Sequence, residues 1–177
     1  MSNFAIHVSR RQFLATSAAG AATLAGISTA SAADAYGGFK MGVQSYSLRG
    51  FDAVTALKHT KTLGLKYWEA YPKHVPMGTL PEHVAKQRKM LADAGVKLIA
   101  YGVLGFDGNE TKARQAFDFA KAMGIVSLSA NPNKDNKTFD LLDKLCEEYK
   151  VAIAIHNHGP NAKYDKISDT VDMVKDR

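Results

Sequence analysis

Gly64-Leu65-Lys66-Tyr67-Trp68-Glu69 starts with a glycine and runs on as a short apolar and aromatic segment. The same phrase returns as Gly95-Val96-Lys97-Leu98-Ile99-Ala100 and as Gly124-Ile125-Val126-Ser127-Leu128-Ser129, with the glycines 31 and 29 residues apart. Met41-Gly42-Val43-Gln44-Ser45-Tyr46 is an earlier copy, and Val151-Ala152-Ile153-Ala154-Ile155 a later one without the glycine. Between successive copies the apolar residues recur at helical spacing, so the unit is a strand followed by a helix.

The helical segments carry their own start and stop signals. Asp52 can cap a first helix with Val54, Leu57 and Leu63 facing inward, and Gly64 can take the left-handed conformation that ends it. Thr79 is the expected cap of the second, with Pro81 in its first turn, Glu82 beside it, and Val84, Leu91 and Ala94 on one face. Asn109 can cap the third, whose stripe is Ala113, Ala116, Phe117, Ala120 and Met123 before Gly124. The fourth runs to about Tyr149 through Leu141, Leu142, Leu145 and Cys146, which reads as a buried helix residue.

Strands that alternate with helices at this spacing are parallel, because each crossover returns the chain to the same end of the sheet. A doubly wound sheet and a (β/α)8 TIM barrel both satisfy that rule. No glycine-rich dinucleotide fingerprint follows the first strand, where the chain reads Ser45-Tyr46-Ser47-Leu48-Arg49-Gly50, so the barrel is expected. Five units can be counted, the last near Ile167 to Lys175, whereas a full barrel has eight and about 250 residues. The expectation is a partial barrel over residues 39–177, whose intact form carries about three more units and whose open edge invites homo-oligomer formation or aggregation.

Residues 1–33 contain no Asp or Glu, place Arg10 and Arg11 side by side, and continue as a run of small and apolar residues. That is the layout of an export signal, and Ser9-Arg10-Arg11-Gln12-Phe13-Leu14 resembles the twin-arginine type. Ala30-Ser31-Ala32 supplies small residues for cleavage. A periplasmic or otherwise exported protein is expected, with no stable membrane anchor, since the run is too rich in Ala, Gly, Ser and Thr for a spanning helix.

Composition narrows the function. The chain has 177 residues, 46% hydrophobic and 23% charged, which is globular and sufficient for one core. The net charge of +6 comes from scattered lysines rather than a block, so no nucleic acid partner is indicated. A single cysteine, Cys146, excludes an internal disulfide framework and a Cys-rich zinc site.

Barrel chemistry sits at the carboxyl ends of the strands. There the richest stretch is Val151-Ala152-Ile153-Ala154-Ile155-His156-Asn157-His158-Gly159-Pro160. Alternation puts Val151, Ile153 and Ile155 on the helix-packed face, and Ala152, Ala154, His156 and His158 on the inner one. Two imidazoles aimed at one cavity can bind a divalent cation, with His156 the expected metal ligand and His158 a second ligand or a catalytic acid–base group. Glu69 ends its strand on the inner face, where a carboxylate is costly unless it is paired or binds something, so it is a catalytic or substrate-orienting candidate. Gln44, Tyr71, Tyr101 and Asn131 are expected substrate contacts. His74 is a weaker candidate that fits loop packing equally well, and Trp68, alternating away from Glu69, is expected in the core.

In this order and spacing, Gly42-Val43-Gln44-Ser45-Tyr46-Ser47, Leu63-Gly64-Leu65-Lys66-Tyr67-Trp68-Glu69, Ala94-Gly95-Val96-Lys97 and Ala152-Ile153-Ala154-Ile155-His156-Asn157-His158-Gly159 resemble the xylose-isomerase-like TIM barrel family. The resemblance implies a divalent metal (Mn, Mg, Co or Zn), a sugar or sugar-like substrate, and proton transfer between carbons next to a carbonyl, as in sugar isomerases and epimerases. It also implies a metal-binding Glu where this chain has His156, so a ligand is retained while one proton-transfer carboxylate is not. Two other readings stand beside the isomerase: a keto-sugar dehydratase, and a degenerate barrel that binds carbohydrate without turnover.

Overall fold

The computed structural model describes residues 36–177, of which 40–177 form one compact unit. The proposed signal segment, residues 1–33, lies outside the described residues. Five strands alternate with five helices: β1 Gly42–Gln44, α1 Ala53–Thr62, β2 Tyr67–Ala70, α2 Pro81–Asp93, β3 Lys97–Phe106, α3 Glu110–Met123, β4 Ser127–Pro132, α4 Asn136–Tyr149, β5 Ala152–Ile155 and α5 Ile167–Val174. A turn of 3-10 helix, Ser45–Leu48, follows β1.

Every strand pairs in parallel with the next one in sequence, giving the order β1-β2-β3-β4-β5 without a reversal. A doubly wound sheet reverses its order at a switch point; a barrel winds in one direction only. The uniform order therefore identifies a barrel sector.

One face of the sheet is covered by helices. Trp68, Ala70, Leu98, Leu128, Ala130 and Val151 are buried there against Leu57, Leu91, Phe117, Phe119, Leu142 and Leu145. Ala152 and Ala154 alternate to the other face of the sheet and are exposed. At two points the strands approach closely enough to demand glycine. A Cβ on Gly42 would stand 2.6 Å from the Tyr67 carbonyl oxygen, and one on Gly102 would stand 2.8 Å from the Ser129 Cβ.

The caps hold for α1 and α3, where Asp52 accepts the Thr55 N–H at 2.7 Å and Asn109 accepts the Lys112 N–H at 3.0 Å. Thr79 does not cap α2. Pro81 occupies the first turn, Leu80 is the N-cap residue and no side chain caps the helix, because proline's fixed φ starts it and removes one of the N–H groups a cap would serve. The expected inward face of α1 is also corrected. Val54 and Leu63 are exposed while Ala56, Leu57 and Thr60 are buried, since Thr60 offers the hydroxyl that the sheet-side Trp68 indole needs. The stripe of α3 is buried throughout, and Cys146 packs half-buried against the core.

Candidate functional site

The carboxyl ends of β1, β2 and β5 and the middle of β3 enclose a cleft of about 550 Å3 lined by Gln44, Tyr46, Tyr71, Pro72, Gly102, Val103, His156 and His158. Its first wall is built around Ser45, a fully buried hydroxyl that accepts the Tyr71 N–H at 2.8 Å and so joins the ends of β1 and β2. Gln44 accepts the Tyr46 N–H at 2.9 Å through its amide oxygen, which leaves its NH2 group for a ligand. The Tyr46 and Tyr71 rings meet edge-on at 4.9 Å, and the Arg49 guanidinium lies 4.6 Å above the Tyr46 ring.

The opposite wall is the histidine pair. His156 continues the β5 ladder by donating its backbone N–H to the Ala130 carbonyl at 2.7 Å, and His158 donates its own to the Tyr164 carbonyl at 2.9 Å. These two anchors set the imidazoles side by side, with ring centroids 4.7 Å apart. His156 is half-buried and His158 exposed.

Of the residues expected at the site, Gln44, Tyr71, His156 and His158 are brought together on this cleft. Glu69 is not among its lining residues; it is half-buried, and its Oε1 is a buried acceptor without a hydrogen-bond partner. Asn131 likewise keeps a buried, unpartnered Oδ1, while its carbonyl accepts from Lys163 at 3.4 Å.

Tyr101 is a correction. Although the next two residues of β3, Gly102 and Val103, line the cleft, the Tyr101 side chain is fully buried against the helix layer, with its ring edge-on to Phe119 of α3 at 4.9 Å. Burial pushes its hydroxyl up to about 12, which makes it a neutral core phenol and not a cleft contact. His74 proves to be loop packing. It stacks on Trp68 at 5.7 Å, and its Nε2 is 3.1 Å from the Phe51 carbonyl. Sequence reading did not single out Tyr46, Pro72, Gly102 or Val103; the rule that barrel chemistry sits at and just beyond the strand ends was the signal available for them.

Two imidazoles side by side offer nitrogen donors suited to zinc, cobalt or manganese. Among the described residues no group of three or more His, Cys, Asp or Glu side chains converges for a metal ion. The donor set fits half of a four-ligand site. Among the described residues no helix is long and apolar enough to cross a membrane.

No family model matches the chain, and no curated protein matches it. Solved structures do. An uncharacterised protein from Parabacteroides distasonis ATCC 8503 shares 26% identity at a TM-score of 0.59 over 68% of this chain and 53% of that one. A sugar phosphate isomerase/epimerase from the same organism shares 19% identity at a TM-score of 0.52 over 75% of this chain and 54% of that one. The chain thus spans about half the length of either. What the likeness and the strand order establish together is the fold: an α/β protein whose five-stranded parallel sheet is a sector of a (β/α) barrel.

Proposed function

We propose that this chain carries the substrate-facing half of a metal-dependent sugar or polyol isomerase/epimerase of the xylose-isomerase-like kind. One observation carries the reading: His156 and His158 stand with their rings 4.7 Å apart on the wall of a strand-end cleft. In this proposal both imidazoles hold a divalent cation, which, when bound, polarises a carbonyl and the neighbouring hydroxyl. Gln44 and Tyr71 orient the sugar from the facing wall, and the unpartnered Oε1 of Glu69 accepts a substrate hydroxyl that reaches the inner face. Asn131 offers its free Oδ1 in the same way. The likeness to a sugar phosphate isomerase/epimerase supports this substrate class. Export by the twin-arginine route belongs to the same proposal, and replacing Arg10 and Arg11 by lysine should retain the protein inside the cell.

The test is hydrogen exchange on carbon. The chain is incubated in D2O with manganese or cobalt and a panel of aldoses, ketoses and their phosphates. Deuterium should enter at the carbon beside the carbonyl, and His156→Ala should abolish its entry. Loss of water to a deoxy-keto product in the same assay would favour the dehydratase. Binding by calorimetry without any exchange would favour a carbohydrate-binding barrel.

A further inference from the structure

Between β5 and α5 the chain makes an irregular loop, residues 156–166, that holds His158 at its start and a buried side chain near its end. That side chain is Tyr164, only 1% exposed although no strand or helix contains it. Its hydroxyl donates to the Pro132 carbonyl at 3.1 Å, at the end of β4, and its own carbonyl accepts the His158 N–H at 2.9 Å. One residue thus fastens the loop to the sheet and His158 to the loop.

The fastening is reinforced from three directions. The Lys134 ammonium lies 5.3 Å over the Tyr164 ring and meets Asp169 Oδ1 at 2.6 Å. Asp169 Oδ2 accepts the N–H of Lys166 at 2.8 Å and of Asp165 at 3.1 Å. Lys163 reaches Asn133 Oδ1 at 2.9 Å. Burial raises the Tyr164 hydroxyl to about 12, with Asp135 and Asp169 adding to the effect, so the phenol keeps the proton it donates. His156 needs none of this, being held by the strand ladder.

We infer that Tyr164 is the positioning residue of the site: it plugs the end of β4 and thereby fixes His158 beside His156, converting one strand-borne ligand into a pair. The inference rests on the proposed reading of that pair as a metal site. Groups that orient ligands in this way typically change metal affinity by about 10- to 100-fold when removed.

Two readouts test it. Without metal, a nuclear Overhauser contact between the two imidazoles should be present in the unaltered chain and lost in Tyr164→Ala, while the His156 amide stays protected from exchange. With zinc alone as probe, Tyr164→Ala should weaken binding by about 10- to 100-fold, as His158→Ala does, and the double variant should be no weaker than either single one. A ring contact that survives Tyr164→Ala, or a zinc loss that adds to that of His158→Ala, overturns the inference. If Tyr164→Ala does not fold, Tyr164→Phe removes only the bond to Pro132. It should then speed exchange at the His158 amide by about fivefold, and an unchanged rate overturns the inference equally. If the unaltered chain binds no zinc, the metal reading fails and the ring contact alone decides the role of Tyr164.

Discussion

Trp68 donates its indole N–H to the Thr60 hydroxyl at 2.8 Å, and both side chains are fully buried. Thr60 donates in turn to the Ala56 carbonyl at 2.9 Å, so a single hydroxyl satisfies a strand residue from within a helix. Thr60→Val keeps the volume and leaves the indole N–H buried without an acceptor. It should cost about 1–3 kcal/mol, the usual penalty for such a group. Urea denaturation should show a lower midpoint with an unchanged slope; an unchanged midpoint would mean that the bond contributes nothing.

That bond also shows where sequence reading stopped. The strand–helix repeat, the parallel sheet, the caps Asp52 and Asn109 and the stripe of α3 were all legible, because each follows from local periodicity or from a residue's own chemistry. Thr60 was not, since a buried threonine on a helix gives no signal until its partner eight residues on is folded over it. For the site, alternation along β5 put His156 and His158 on the inner side, and both line the cleft. Tyr101 went astray because its ring packs into the helix layer against Phe119, while the neighbouring Gly102 and Val103 of β3 line the cleft. Tyr164 left no trace at all, for nothing in Lys163-Tyr164-Asp165 announces a buried plug.

Gly102 tests how tightly β3 and β4 meet beside the cleft. A Cβ there would stand 2.8 Å from the Ser129 Cβ, inside any tolerable contact, and the obstacle is a strand rather than a flexible side-chain tip. Gly102→Ala should destabilise by about 1–3 kcal/mol as an overpacked site does. Gly105, on the same strand with open space around it, is the control: Gly105→Ala should cost well under half as much in the same thermal melt.

Acid should loosen the loop that carries His158. The Lys134 ammonium, and then the Lys166 N–H, hold the Asp169 carboxyl below its ordinary value of 3.8. The unfolded chain therefore binds a proton more readily there, and stability rises with pH through that range. The contribution is complete above the ordinary value and is lost as pH falls through the lower, folded one. Melting temperature followed from pH 6 to pH 2 should drop less steeply in Asp169→Asn than in the unaltered chain; identical acid slopes would contradict the clamp.

Cys146 should be a slow thiol. It packs half-buried beside the core, and burial raises its pKa above the usual thiol value, with Asp143 adding to the rise against a lowering bond from the Ile153 backbone. Less thiolate means less nucleophile. Alkylation at pH 8 should run at least about tenfold slower in the folded chain than in denaturant. Equal rates would show an accessible cysteine.

The histidine pair bears the greatest weight, and zinc titration calorimetry reaches it most directly. The unaltered chain should bind one zinc ion, and His156→Ala and His158→Ala should each weaken that binding by at least about tenfold, as expected for the loss of a nitrogen ligand. Zinc binding that persists unchanged when both imidazoles are replaced would contradict the account.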